Sequence, residues 1–234
     1  MKSPLRVSAV IPTWNEAAHI VLCTERLRAA GVAEVIVVDG GSSDATKERA
    51  LPRADTYLES AGGLFAQLNR GSREAVGDVL LFQYADGLFP QQGVRAVEEV
   101  LDDPRIVGGA FRLAFDSTHP AYPAIAFGAN VRNRLGFGPF GDQSIFVRTQ
   151  TFRELGGFDP AAPLAEYELV KKLKQRGKFR LLAHKVRSSV RRWERRGVLR
   201  TLLSHWRLSV AYFVRSGHAT RAQRGELEHL RRVR

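Results

Sequence analysis

The segment Ser8-Ala9-Val10-Ile11-Pro12-Thr13-Trp14-Asn15-Glu16 and the later segment Glu34-Val35-Ile36-Val37-Val38-Asp39-Gly40-Gly41-Ser42-Ser43-Asp44 share one pattern, an apolar run that stops abruptly in small and polar residues. A strand covered by helices on both sides of its sheet has no solvent face, so it reads as a continuous apolar run. Where such strands run parallel, their carboxyl ends open onto a ligand crevice. The two segments therefore confine the chain to an α/β sheet whose site lies at one edge.

The first half continues the alternation. Strand-like Val7 to Ile11 is followed by an amphipathic helix near Ala17 to Ala29, a strand over Val35 to Val38 and a helix near Asp44 to Ala54. A short strand at Thr56 to Leu58, a helix over Leu64 to Val76 and a buried strand over Val79 to Phe82 come next, the last ending at Tyr84-Ala85-Asp86. Pro90 is suited to the first turn of a helix that runs to about Leu101. Short connections between alternating elements predict a mostly parallel sheet with helices on both faces. Beyond it, Gly109 to Phe115 and Ser144 to Arg148 read as strands. Ala124 to Leu135, Thr149 to Leu155 and Glu166 to Arg176 read as helices, and Phe179 to Leu182 and Val186 to Val190 as extended.

The two opening segments resemble the start of the family-two glycosyltransferases. The likeness continues through Gly77-Asp78-Val79-Leu80-Leu81-Phe82-Gln83-Tyr84-Ala85-Asp86, Gly141-Asp142-Gln143, Gly156-Gly157-Phe158-Asp159 and Arg191-Arg192-Trp193-Glu194, spanning residues from about 6 to 215. It is greatest to a compact bacterial branch with Gly-Gly-Ser after the second strand and Gly-Asp-Gln before the sixth. The resemblance implies a GT-A fold, which is α/β and Rossmann-like, binding a nucleotide-sugar at the carboxyl ends of its first strands. It also implies one domain over residues 1–215, with a nucleotide-binding half to about 105 and an acceptor half after it, followed by a basic tail over 216–234. The implied activity is transfer of a sugar to an acceptor hydroxyl with inversion. A protein of the same shape that binds nucleotide-sugar without transferring it is the alternative.

Site residues follow from the matching positions. Asp39 ends its strand with a carboxylate able to accept from a base N–H; it is either the base-binding aspartate of the family or a turn residue ahead of Gly40-Gly41. Pro12 and Trp14 match positions that line the base, and Glu16 shares their loop. Asp86 matches the last member of the family's Asp-x-Asp motif, which implies a divalent cation, Mg or Mn, on the donor diphosphate; otherwise it is a turn residue beside Gly87. One or two protein carboxylates suffice for such an ion when phosphates supply the rest. Tyr84 stands where the motif's first aspartate is expected. Glu166 matches the family's general base, an aspartate there, and Ala165 replaces the acid before it; an acidic residue favoured in a helix's first turn is the other reading. Asp142 is a second candidate for a catalytic or acceptor-orienting carboxylate, or else it holds a turn. Gln143, Arg192 and Trp193 are expected near the acceptor and diphosphate, with surface stacking as the alternative for the last two. Where the branch carries arginines before Gln-x-Asn, this chain has Gly62-Gly63-Leu64-Phe65-Ala66-Gln67-Leu68-Asn69.

Composition excludes several classes. With one cysteine, Cys23, there is neither a disulfide framework nor a cysteine-rich metal site, and the six histidines show no zinc-like spacing. No run of eighteen apolar residues and no signal-like N-terminus is present, so a cytoplasmic protein is expected. The net charge of +12 is uneven: Lys171 to Arg234 hold 20 of the 36 basic residues and 3 of the 24 acidic ones. Such a segment suits an anionic partner: a diphosphate, a lipid-linked acceptor at the inner membrane face, or nucleic acid. No nucleic-acid motif supports the last. An amphipathic helix expected over Val198 to Phe213 fits either core packing or the cytoplasmic leaflet.

Overall fold

In the computed structural model of the 234-residue chain, residues 4–119, 121–134, 139, 141–162, 164–191, 194 and 197 are described. Their order begins β1 (Val7–Thr13), α1 (Ile20–Ala29), β2 (Glu34–Asp39), α2 (Thr46–Ala50), β3 (Thr56–Glu59), α3 (Leu64–Glu74), β4 (Val79–Phe82), β5 (Gly87–Leu88) and α4 (Gly93–Leu101). It continues through β6 (Ile106–Phe115), α5 (Ala121–Arg134), a 3-10 turn (Gly141–Gln143), β7 (Ile145–Arg148), α6 (Thr149–Glu154), α7 (Ala165–Arg176) and β8 (Lys178–Ser188).

The strands form one sheet in the order β3-β2-β1-β4-β7-β6-β8-β5. Pairings β1–β2, β1–β4, β2–β3 and β6–β8 are parallel, whereas β4–β7, β6–β7 and β5–β8 are antiparallel. The sheet is thus mixed, with its parallel part in the first half of the chain. Because β7 runs against β4, its first residue, Ile145, lies opposite Phe82. The turn Gly141–Gln143 is thereby carried to the same edge as the carboxyl ends of β1, β2 and β4.

Side chains leave the strands alternately to two cores. Val7, Ala9, Ile11, Val35, Val37, Val79, Leu81 and Phe146 meet α1 and α4 through Ile20, Cys23, Leu27, Val94, Val97 and Leu101. Val10, Ile36, Val38, Leu80, Phe82, Ile145 and Val147 face Phe65 and Leu68 of α3, Phe152 of α6, and Leu169, Val170 and Leu173 of α7. Each fully buried Leu, Ile or Phe contributes about 2 kcal/mol of transfer free energy. Under the end of β4, Phe82 packs against Phe158 at 4.9 Å and Phe152 at 5.1 Å between ring centroids, and Phe65 meets Phe158 at 5.3 Å. That cluster makes a stiff floor for the loop that follows.

Several boundaries differ from the pattern-based expectation. Helix α2 ends at Ala50, since Pro52 has no N–H to continue the ladder. The two extended stretches expected over 179–182 and 186–190 merge into one strand, β8, which ends at Ser188 and whose pairing to β6 slips between Phe111 and Arg112. Strand β5, two residues long, was not expected. The helix expected over Val198 to Phe213 and the tail over 216–234 lie outside the described residues. Among the described residues no helix is long and apolar enough to cross a membrane.

Candidate active site

The loops after β1 and β2 are stitched together by side chains of both. Asn15, held at a φ of 55°, accepts from Ser43 N at 2.8 Å through its side-chain oxygen, while its own N–H donates to Ser42 Oγ at 2.8 Å. Glu16 N donates to Thr46 Oγ1 at 2.8 Å, and Ala17 N to Asp44 at 3.1 Å. From below, Gln67 Nε2 donates to Thr13 O at 3.0 Å.

Asp39, the last residue of β2, lies opposite Thr13 and is buried. One carboxylate oxygen accepts from Ser42 Oγ at 2.5 Å and Thr13 Oγ1 at 3.2 Å, the other from Ser42 N at 3.1 Å and Tyr57 Oη at 3.0 Å. Four donors fill the lone-pair capacity of a carboxylate. Burial, then the bond to Asp39, push the Tyr57 hydroxyl well above the ordinary tyrosine range, so it stays a donor. Pro12 is buried in β1, whereas Trp14, 47% exposed, stands on the rim.

The loop after β4 is built around Gln83, which is buried. Its Nε2 donates to Tyr84 O at 2.8 Å and Gly87 O at 2.9 Å, and its Oε1 accepts from Ser144 Oγ at 2.5 Å, tying the loop to the start of β7. Ser144, at a φ of 45°, and Asn15 are the non-glycine residues with positive φ among those described, and both sit on this edge. Such outliers persist where the surrounding structure over-determines them, as at functional sites. Asp86 is buried, and its carbonyl accepts from Ser189 N at 3.1 Å, just beyond β8. Burial pushes the Cys23 thiol up strongly, and the charges of Asp86 and Glu16 push it further, which places both carboxylates within electrostatic reach of one buried sulfur.

Glu16 receives Arg191 from just beyond β8. Arg191 Nη2 donates to both of its oxygens, at 3.0 and 3.2 Å, and His19 Nδ1 lies 3.1 Å away. Glu166, in the first turn of α7, is 3% exposed, and Tyr84 Oη donates to its Oε1 at 3.0 Å. Asp142 is half-buried and lies in the field of Arg132, whose guanidinium burial pushes down while Asp142 pulls it back. Gln143 is fully buried; its Nε2 donates to Phe111 O at 3.0 Å and its Oε1 accepts from Asn133 at 2.8 Å. Its amide therefore fastens the turn to β6 and α5. Arg192 and Trp193 lie outside the described residues.

Sequence reasoning overlooked Gln83, Tyr57 and Arg191 as organisers of the edge. Gln83 directly precedes Tyr84-Ala85-Asp86, and Arg191 opens the motif from which its neighbours were chosen. Tyr57 carried no local signal.

The family model for "Glycosyl transferase family 2" matches residues 8–156, which cover every loop of the first half of this edge and the turn at Gly141–Gln143. The chain belongs to glycosyl transferase family 2. Within that family it is similar to an undecaprenyl-phosphate mannosyltransferase of Micrococcus luteus, 31% identical over 151 residues that cover 54% of this chain and 62% of that protein. It is also similar to the glycosyltransferase AglJ of Haloferax volcanii, 36% identical over 164 residues covering 66% of this chain and 49% of that one. The matches thus span roughly half the length of those relatives. In fold it is similar to the mannosyltransferase PcManGT from Pyrobaculum calidifontis, solved with GDP-Man and Mn2+, at a TM-score of 0.67, 20% identity, and coverage of 99% of this chain and 70% of that one. Glucosyl-3-phosphoglycerate synthase from Mycobacterium tuberculosis, solved with Mn2+, UDP-glucose and phosphoglyceric acid, gives a TM-score of 0.60 at 19% identity, covering 77% and 70%. The α/β sheet of this family 2 member is therefore the GT-A fold.

The donor set for a cation is small. Among the described residues no three His, Cys, Asp or Glu side chains form a metal-holding group, and Tyr84 points its hydroxyl at Glu166. Asp86 alone, with phosphate oxygens, fits a hard divalent ion that arrives with a diphosphate.

Proposed function

We propose that this chain transfers a sugar from a nucleotide-diphosphate sugar to an acceptor hydroxyl with inversion at the anomeric carbon. The observation that carries this reading is the link from Glu166 through Tyr84 to the strand end that bears Asp86. A base and a diphosphate-facing carboxylate then stand on one rim, contributed by segments far apart in sequence.

In this reading Glu166 takes the proton of the acceptor hydroxyl as its oxygen attacks from the side opposite the leaving diphosphate, which gives inversion. Asp86 would hold a divalent cation, whose chemistry when bound is to neutralise charge on the departing diphosphate. The ion is supported by the manganese in the solved structures of similar fold. Trp14 offers an exposed ring for stacking on the base. Asp39 meets the base where Tyr57, half-exposed and from a neighbouring strand, gives way, while Ser42 and Thr13 keep the acid in place. Asp142, in the field of Arg132, is proposed to orient the acceptor. The similarity to the Micrococcus luteus enzyme and the basic segment from Lys171 onward support an acceptor carried on a lipid at the cytoplasmic face.

Nucleotide-sugars of the UDP and GDP classes, tested by thermal shift with and without manganese, should include one that raises the melting temperature only when the cation is present, since a ligand of the native state stabilises it. Asp86→Ala should remove that cation-dependent shift. Glu166→Gln should keep the shift yet lower turnover by about 100-fold or more; unchanged turnover would remove Glu166 from the role. A second reading, binding without transfer, draws on the phenol at position 84 in place of a carboxylate, and nucleotide release by the wild-type chain would decide against it.

A further inference from the structure

We propose that Tyr84 is a positioning residue for Glu166, fixing the carboxylate of the base by a buried hydrogen bond, and that Gly141 is the gap that admits its ring. The inference rests on the reading of Glu166 as general base. A glutamate reaches one methylene farther than the aspartate expected at this position, and its extra torsion lets the carboxylate sweep. Attack geometry tolerates little of that motion, since a displacement of about 1 Å can cost roughly 100-fold in rate.

The structure limits the sweep from both ends. The main chain of Tyr84 is pinned, for its carbonyl accepts from Gln83 Nε2 at 2.8 Å and Gly87 N at 3.0 Å, with Cys23 Sγ at 3.8 Å. Its ring then crosses beneath the Gly141–Gln143 turn, where a Cβ on residue 141 would lie 2.1 Å from the hydroxyl and 2.3 Å from Cζ. At the far end the hydroxyl donates to Glu166 Oε1 at 3.0 Å, and both residues are buried. Away from water such a bond is stronger and geometrically stricter than at a surface. A carboxylate at position 84 would set like charges against Glu166, whereas a phenol supplies a neutral donor. Tyr84 and Glu166, two departures from the family pattern, thus compensate each other in one contact.

The test is a cycle of variants assayed by nucleotide release from a panel of UDP- and GDP-sugars with manganese. Tyr84→Phe keeps the ring but removes the donor. It should lower kcat about tenfold with donor KM within about twofold. Added to Glu166→Gln, it should change kcat by less than about twofold, because residues acting as a unit are not additive. Equal losses in both backgrounds, or a wild-type kcat in Tyr84→Phe alone, would overturn the proposal. Unchanged turnover in Glu166→Gln would instead overturn the base assignment. Thermal midpoints give a readout that needs no donor: Tyr84→Phe should lower the midpoint of the wild-type chain but not that of Glu166→Ala. Equal shifts in both would show that the bond is absent and would also overturn the proposal.

Discussion

At the scale of single residues, most polar side chains near the edge serve other loops before they can serve a ligand. Asn69 is the clearest case. Its Nδ2 donates to Phe158 O at 2.8 Å and its Oδ1 accepts from Phe158 N at 2.9 Å, so one amide closes the turn that precedes α7. Gly157 makes room for it, since its φ is 78° and a Cβ there would lie 2.6 Å from Asn69 Oδ1. Asn69→Ala removes both bonds and should cost about 2 kcal/mol in denaturant unfolding. A loss below about 0.5 kcal/mol would mean that the turn holds itself. The Gln-x-Asn pattern in α3 was visible in the sequence, but its partners were not. Gln67 bonds to Thr13 and Asn69 to Phe158, contacts that only the folded sheet creates. For the same reason Asp39 was legible as a strand-end carboxylate, while the four donors around it came from β1, β3 and its own loop.

Among the elements, strands buried on both faces were the easiest to read, because burial itself writes the continuous apolar run; β1, β2, β4 and β7 show it. Strand β8 was harder. Its outward residues Lys178, Arg180, Lys185 and Arg187 are exposed, and the slip in its pairing to β6 interrupts the alternation. One contact between elements, which periodicity does not record, has a consequence for acid stability. Asp55 accepts from Val35 N at 2.7 Å at the start of β2 and from Arg28 of α1 at 2.6 Å. Burial works against its charged form, but the Val35 amide and Arg28 outweigh it and hold the carboxyl below its ordinary value of 3.8. A depressed acid stabilises the fold above that value and loses the contribution as pH falls through the lower folded-state value. The melting temperature should therefore fall more steeply below pH 4 in the wild-type chain than in Asp55→Asn; parallel curves would show that the contact adds nothing.

For the whole molecule the governing feature is the separation of charge, with an acidic first part carrying the proposed nucleotide edge and a basic remainder from Lys171 onward. The described part of that remainder already carries exposed cations, Lys178, Arg180, Lys185 and Arg187, along β8. Strand β8 ends beside Asp86 and leads to Arg191 on Glu16, so a basic surface joins the proposed donor site without a break in the chain. The lipid-borne acceptor of the proposed function would approach along it. Each basic residue near an anionic leaflet contributes about 1 kcal/mol, an attraction screened over about 10 Å at 0.1 M salt. Binding to phosphatidylglycerol vesicles should thus be at least about tenfold tighter than to phosphatidylcholine vesicles at low salt, and the difference should collapse near 0.5 M. Charge reversal at Lys178, Arg180, Lys185 and Arg187 should weaken it while leaving nucleotide-sugar thermal shifts in place. Equal binding to both vesicle types would move the contact from charge to apolar insertion, and no binding to either would separate the basic residues of β8 from any membrane role.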